Sequence, residues 1–277
     1  MLTTNTQKGL QMKNLFMERL EFLCKEHERT DEIQGIGVRL KTCLGLLDNY
    51  YNIHNDNQQY IILDLAGTYS TSMFLSKAFG KNSKVICQSW PNQELAKFIE
   101  DNCKGQNIEV RMGDSIVLKE INDSEVDIVF AGEIIEHIYD IELMMENIRR
   151  VLKPNGVFLG TTPNLASWSS RITLLLGKCP HIYDPYPTRY EGLFGVERTK
   201  RAIPKILHDY HIRVGTPDLL VSFLEKSGFT NVSYDTTNIY GKERKLSSIR
   251  RMLNIILPKN MKENISFCGF LSGKKLK

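Results

Sequence analysis

The chain has 277 residues, 42% of them hydrophobic, which suits one large domain with additions or two small ones. Its net charge of +4 is too small to indicate an acidic partner or an anionic membrane surface by itself. No apolar run approaches the roughly 18 residues of a membrane-spanning helix. Six scattered cysteines include no C-x-x-C pair, which argues against a zinc or dithiol site. Free thiols without a signal peptide favour a cytoplasmic, soluble or at most peripheral protein.

Residues 1–58 are predicted to form an N-terminal helical region. Apolar residues cluster between Leu15 and Leu23 and, less regularly, between Ile33 and Leu44. The polar, asparagine-rich segment 52–59 then reads as a connector.

From residue 59 to 277 the pattern predicts one α/β domain. Short apolar strands alternate with helical stretches, which implies βαβ units and a doubly wound, mostly parallel sheet of the Rossmann-like type. A late hairpin should place an antiparallel strand at or near one edge. The seven predicted strands are 61–66, 84–89, 107–114, 126–132, 157–164, 232–240 and 265–273.

Two segments interrupt this alternation of strands and helices. Residues 165–215 are rich in Tyr, Pro, Arg and His and are predicted to cap the open end of the sheet, where Tyr183, Tyr186, Tyr190 and Phe194 could line a substrate. Residues 241–262 form a basic, amphipathic insert. It could pack on its own domain, contact a membrane surface or lipid-linked substrate, or form a dimer contact.

Ligands of an open parallel sheet bind beyond the carboxyl ends of its strands. Four strand ends should therefore converge on one crevice that offers two acids, small residues, hydroxyls and an aromatic ring, an inventory that suits a nucleoside. The candidate residues are Asp64, Ala66, Gly67, Thr68, Gln88, Ser89, Trp90, Asp114, Ser115, Gly132 and Glu133.

The stretch VDIVFAGEIIEHIYDIELMMENIRRVLKPNGVFLGTTPN (126–164) resembles class I S-adenosylmethionine-dependent methyltransferases. E-x-x-E-H, R-x-L-K-P-x-G and T-P-N follow in the order typical of the subgroup that contains ubiquinone-biosynthesis O-methyltransferases. HIRVGTPDLLVSFLEKSGF (211–229) is also similar to this subgroup. The resemblance runs from about Tyr60 to Gly273 and implies S-adenosylmethionine as the cofactor.

Carried onto this sequence, the resemblance makes Asp64 the acid of the first cofactor loop. The family usually has glycines where this chain has Ala66, Thr68 and Ser70, and a β-branched Thr68 would resist a positive φ. Gln88 stands where the family usually has an acid that binds both ribose hydroxyls.

The resemblance also implies that Asp114 meets the adenine amino group. It places Gly132 and Glu133 at the methionine end of the cofactor.

Structural roles compete with these assignments. Asp64 could satisfy backbone amides at a helix start, Gln88 could be a plain surface residue, Asp114 could form a turn, and Trp90 could belong to the core or a lid. These alternatives stay open at the level of sequence.

The implied chemistry is methyl transfer to a hydroxyl oxygen of a small molecule, glycan or lipid precursor, with His137 or His211 as proton acceptor and no metal. The sequence has neither an Asn/Asp-Pro-Pro-Tyr tetrad nor an evident RNA-binding appendage. Both absences argue against a nucleic-acid substrate. Two alternatives remain: a methyltransferase-like binding or partner subunit without catalysis, and a nicotinamide-dependent oxidoreductase, for which A-G-T-Y-S-T is a poor phosphate-binding turn.

Overall fold

The computed structural model describes residues 17–23, 36–48, 59–180, 182–183, 211–237 and 258–271. One seven-stranded sheet organises them, with the strand order β3-β2-β1-β4-β5-β7-β6. The strands are β1 Ile61–Leu65, β2 Lys84–Ser89, β3 Ile108–Met112, β4 Val126–Gly132, β5 Leu152–Pro163, β6 Phe229–Thr237 and β7 Asn264–Leu271.

The predicted fold class is confirmed. Strands β1 to β5 pair in parallel, and β7 lies antiparallel between β5 and β6. The KPNG segment (153–156), which the sequence suggests is a turn, instead falls within β5. A shift in register between Val126 and Ile128 accompanies Asn155 with a φ of 64°, so this end of the strand is bulged rather than turned.

Helices connect the strands, and polar caps fix where several of them begin. Asn92, Asp140 and Thr216 each accept a hydrogen bond from the first turn of the helix that follows. Pro217 is the first residue of the last helix, where its fixed φ suits the helical turn. The helices are α1 (residues 17–23), α2 Ile36–Asp48, α3 Tyr69–Phe79, α4 Gln93–Asn102, α5 Ile141–Val151, α6 Trp168–Leu175 and α7 Pro217–Lys226.

The sheet is covered on both faces. On one face, Leu20 of α1 and Leu44 and Leu47 of α2 share a core with Phe130 and Leu159 of the sheet. On the other face, α5 and α7 pack their apolar stripes on the sheet. Hydrophobic burial thus brings residues of the N-terminal region onto the sheet. The division of the chain at residue 58 stays a prediction.

Parts of both predicted insertions lie outside the described residues. For the cap these are 181 and 184–210, which include Tyr186, Tyr190 and Phe194, and for the basic insert 241–257. Within the described part of the chain, none of the helices is long and apolar enough to cross a membrane.

Candidate functional site

The strand order brings the four predicted strand ends to one edge of the sheet. Asp64 of β1 pairs with Cys87 of β2 on one side, and Leu65 pairs with Ala131 of β4 on the other. Ser89 of β2 pairs in turn with Met112 of β3. The carboxyl ends of β3, β2, β1 and β4 are therefore consecutive neighbours, which is the placement that ligand binding at such a sheet requires.

The bend after β1 is tight because Gly67 has no room for a side chain. A Cβ at this position would lie 2.7 Å from Asp64 Oδ2 and 2.8 Å from Cys87 Sγ. The Gly67 amide donates to the Gln88 carbonyl at 2.8 Å, which fixes the bend to β2. Ala66 takes the left-handed conformation, with a φ of 48°. The backbone thus makes the turn with one glycine, where the family usually has three.

Thr68 is not strained in the way its sequence suggests. Its φ is −112°, so the positive φ expected there falls on Ala66 instead. Thr68 is the N-cap of α3: its Oγ1 accepts from the Thr71 amide, and its own amide donates to Thr71 Oγ1 at 3.0 Å. The side chain is exposed and does not fill the bend. A β-branched residue therefore fits here because capping requires an extended backbone.

Asp64 is buried beneath this bend and stabilises it through hydrogen bonds to the first turn of α3. Its Oδ2 accepts from Ser72 Oγ at 2.6 Å and from Thr71 Oγ1 at 2.7 Å. Burial raises the pKa of Asp64 from 3.8 to about 7, and the two hydroxyls oppose that rise. Asp64 therefore accepts the side-chain hydroxyls of the first turn of α3.

Gln88 is completely buried, so the surface alternative is wrong. Its Oε1 accepts from the Ala66 amide at 2.9 Å and from Ser115 Oγ at 2.7 Å. Its Nε2 donates to the Gly113 carbonyl at 2.6 Å. One amide side chain thus links the ends of β1, β2 and β3.

The next two residues differ in exposure. Ser89 is buried and donates to the Trp90 carbonyl at 3.2 Å, whereas the Trp90 side chain is 43% exposed. Trp90 therefore lies outside the core, which narrows its open alternatives to a lid or a cofactor contact.

Asp114 is exposed, and its Oδ1 accepts from the amides of Ile116 at 2.7 Å and Val117 at 3.3 Å. This is the turn-forming role that the sequence left open. An adenine contact for Asp114 stays a prediction. Beside it lies an open cleft of about 550 Å³. The cleft is lined by Met112, Gly113, Asp114, Val117, Lys119 and Glu120.

The end of β4 carries a charged pair that sequence reasoning missed. Glu133, with a φ of 54°, forms an ion pair at 2.9 Å with Arg39 of α2. The other oxygen of Glu133 accepts from Asn264 Nδ2 at 2.9 Å. A single arginine on a helix about 90 residues earlier in the chain gives no local signal of this contact, because only the packing of α2 on the sheet creates it.

Both predicted proton acceptors lie next to each other. The rings of His137 and His211 are 4.8 Å apart and nearly perpendicular. His137 Nε2 is 4.0 Å from Oε1 of Glu136.

Glu136 is completely buried and accepts from Thr162 Oγ1 at 3.1 Å, while its Oε1 has no hydrogen-bond partner among the described residues. Burial, and then the charge of Glu133, raises the pKa of Glu136 well above its ordinary value. The E-x-x-E-H motif contained the signal for Glu136, but the candidate list omitted it.

Ligand atoms of Glu136, His137 and His211 all lie within 4.8 Å of one another, so these three side chains could also hold a divalent metal ion. A metal-free reaction therefore stays a prediction. The two histidines come from segments 74 residues apart, and the amides of Ile212 and Arg213 both donate to the Glu136 carbonyl, at 2.9 and 3.0 Å. These backbone bonds hold the two segments together.

Comparison with known proteins supports this architecture. Residues 66–160 match a family model described as a methyltransferase domain. A probable S-adenosylmethionine-dependent methyltransferase of Mycolicibacterium smegmatis is 37% identical over 62 residues, which cover 22% of this chain and 24% of that protein. A demethylmenaquinone methyltransferase of Lactobacillus johnsonii is 32% identical over 99 residues, covering 34% of this chain and 40% of that protein.

Among solved structures, a Haemonchus contortus phosphoethanolamine N-methyltransferase in complex with S-adenosylhomocysteine has the same fold. It gives a TM-score of 0.55 at 13% identity, covering 91% of this chain and 57% of that one.

Residues 66–160 therefore match a methyltransferase domain, and they lie in a sheet with the strand order of the Rossmann-like fold. The chain spans between a quarter and two fifths of the length of the curated relatives that it matches.

Proposed function

We propose that this protein transfers the methyl group of S-adenosylmethionine to a hydroxyl oxygen of a small molecule, a glycan or a lipid precursor. Within the class, the subgroup of ubiquinone-biosynthesis O-methyltransferases fits the motifs best. The observation that carries the proposal is the pair of histidines beside a buried glutamate at the carboxyl end of β4. Bound cofactor supplies an electrophilic methyl group, and the chain must supply a place for the acceptor and its proton.

The geometry assigns a tautomer to His211. Its Nδ1 lies 2.8 Å from the carbonyl oxygen of Ile182. A carbonyl can only accept, so Nδ1 carries the hydrogen and Nε2 of the neutral ring keeps its lone pair. A hydroxyl held at Nε2 would give up its proton to this nitrogen as its oxygen gains the methyl group.

Glu136 would stabilise the product of that proton transfer. Its raised pKa means that burial disfavours its ionised form, and a positive imidazolium nearby restores that form. A charge that develops on His211 or His137 would therefore be balanced inside the site. His137 lies beside both groups, with its Nε2 4.0 Å from Glu136 Oε1 and its ring 4.8 Å from that of His211.

The loops at β1 and β2 would hold the cofactor. Gly67 keeps the bend tight against Asp64 and Cys87, and S-adenosylmethionine carries no pyrophosphate that the bend would have to wrap. The hydrogen bonds that Gln88 and Asp64 make within the chain give this bend a fixed shape, which favours alignment of the methyl group with the acceptor.

The first test is whether cofactor is present at all. We expect mass spectrometry of the purified protein to detect S-adenosylmethionine or S-adenosylhomocysteine, and calorimetric titration to give a saturable heat. Absence of both at high cofactor concentration would favour the alternative of a binding or partner subunit without catalysis. The internally saturated Gln88, which replaces the family's ribose-binding acid, is the observation that favours that alternative.

The second test concerns the histidines. With a panel of catechols, hydroxybenzoates, sugars and polyprenylated phenols, formation of S-adenosylhomocysteine would identify an accepted hydroxyl. We then expect His211→Asn and His137→Asn to lower kcat by about 10²- to 10⁴-fold, with cofactor affinity unchanged. The control is Tyr139→Phe in the same loop, whose side chain is 84% exposed. Full activity of both histidine variants would exclude them as the proton acceptor.

A further inference from the structure

Gln88 cannot accept a hydrogen bond from a ribose hydroxyl in this structure. A carbonyl oxygen has two lone pairs, and the Ala66 amide and the Ser115 hydroxyl occupy both at Gln88 Oε1. Freeing one of them would undo the link between β1 and β3. The hydroxyl donors of an adenosyl group therefore need another acceptor close to the end of β2.

A carboxylate lies at the required place. Glu120 rests on Gly113, and a Cβ on that glycine would lie only 2.0 Å from the carboxyl carbon and 2.1 Å from each oxygen. Gly113 is itself tied to β2, because its amide donates to the Ser89 carbonyl and its carbonyl accepts from Gln88 Nε2. Glu120 thus packs on Gly113, which is itself hydrogen-bonded to Gln88.

Glu120 also borders an open cleft, and its buried Oε1 has bonding capacity left. It lines the cleft of about 550 Å³ beside Met112 and Asp114. Its Oε1 has no hydrogen-bond partner among the described residues. Burial raises the pKa of Glu120. A buried, unpaired carboxylate oxygen is costly unless a ligand satisfies it.

We propose that the Glu120 carboxylate accepts the ribose hydroxyls of the adenosyl cofactor, in place of the acid that the family usually has at the position of Gln88. Glu120 belongs to the segment after β3 rather than to the end of β2. The acceptor therefore lies at a different position from that usual in the family, and Gln88 links the strand ends instead. This inference rests on the proposed cofactor and deepens the account of its site.

The test measures binding of S-adenosylhomocysteine and of its 2′-deoxy and 3′-deoxy analogues by calorimetry. We expect Glu120→Ala to weaken binding of S-adenosylhomocysteine by about 10- to 100-fold, because a charge-assisted hydrogen bond is lost. The wild type should lose a similar factor with at least one deoxy analogue, and Glu120→Ala should lose little more. The matched control, Glu100→Ala on the exposed face of α4, should bind like the wild type.

A second variant tests position rather than charge. Gly113→Ala should push the flexible Glu120 carboxyl aside while leaving a backbone that needs no positive φ. Its affinity should fall toward that of Glu120→Ala, and the double variant should be no weaker than either single one. Thermal unfolding of each variant confirms that it is folded.

The outcomes separate the inference from the proposed function. If the wild type binds S-adenosylhomocysteine and Glu120→Ala still discriminates against the deoxy analogues to the same degree, Glu120 is not the acceptor and the cofactor assignment survives. If the folded wild type shows no binding, the proposed function fails and this inference fails with it.

Discussion

The two ends of the candidate site are built in opposite ways. Beneath the β1 bend, the acceptor oxygens of Asp64 and Gln88 receive hydroxyl and amide donors from within the chain. At the end of β4, Glu136 is equally buried but keeps an oxygen without a partner among the described residues, next to two histidines. We call the first region closed, because donors from within the chain occupy its acceptors. We call the second region open, because one buried acceptor has no partner there among the described residues.

This difference separates support from chemistry. A satisfied polar network rigidifies a loop and leaves little capacity for a ligand. An unsatisfied buried carboxylate costs free energy, so it is more readily explained by a role in binding or proton transfer. A polar residue at a strand end is therefore a weaker sign of a functional role than a buried polar atom that lacks a hydrogen-bond partner.

The largest expected effect concerns the closed region. The folded protein raises the pKa of Asp64 from 3.8 to about 7 and so holds its proton more tightly than the unfolded chain does. The resulting stabilisation is full below pH 3.8 and is lost as pH rises through about 7. Between roughly pH 5 and roughly pH 8, the free energy of unfolding of the wild type should fall by about 2.5 kcal/mol. Asp64→Asn cannot ionise at this position, so it should not show this fall.

Urea unfolding at both pH values measures this loss. Asp218→Asn, which changes an exposed carboxyl on α7, controls for general charge effects. Equal pH dependence in Asp64→Asn and the wild type would mean that the hydroxyls of Thr71 and Ser72 keep Asp64 ionised without cost.

The next effect concerns the open region. Arg39 and Glu133 form a partly buried ion pair, with 13% and 25% of their side chains exposed. Arg39→Met should destabilise the fold by about 1–2 kcal/mol, less than the loss of one partner of a fully buried pair. Loss of this cation should also raise the pKa of Glu136 further, because Arg39 lowers it.

A double-mutant cycle with Glu133→Gln isolates the pair. We expect Arg39→Met to cost little in the Glu133→Gln background, measured by urea unfolding. Additive losses would instead attribute the effect of Arg39 to its packing in α2.

The smallest effect concerns the bend. Ala66→Gly should stabilise the protein by about 0.5 kcal/mol, because relief of the left-handed strain slightly exceeds the added entropy of the unfolded chain. Thermal unfolding measures it. Ala96→Gly in the middle of α4, where the backbone is helical, should instead cost about 1 kcal/mol. A loss at Ala66 would indicate that its methyl group packs usefully.

The sequence predicted the fold well, because alternation of apolar strands and amphipathic helices depends on local pattern. All seven strands and the antiparallel position of β7 follow from it. The sequence named His137 and His211 as alternative proton acceptors, and only the structure shows that their rings lie 4.8 Å apart.

What the sequence missed depends on contacts between distant segments. The positive φ moved from Thr68 to Ala66 because capping of α3 fixed Thr68 as extended. Arg39 reaches Glu133, and Glu120 lies on Gly113, through packing that no residue spacing encodes. Gln88 looked like a weakened ligand and is a buried link between three strands.

The placement of β7 has a consequence for synthesis. Strand β7 follows β6 along the chain but lies inside the sheet, so β6 has no neighbour in the sheet until residues 264–271 have left the ribosome. Until then β5 presents an unpaired edge with Phe158 and Leu159 beside it. We therefore expect nascent chains stalled before Asn264 to need chaperones, because two strands then lack their partner in the sheet.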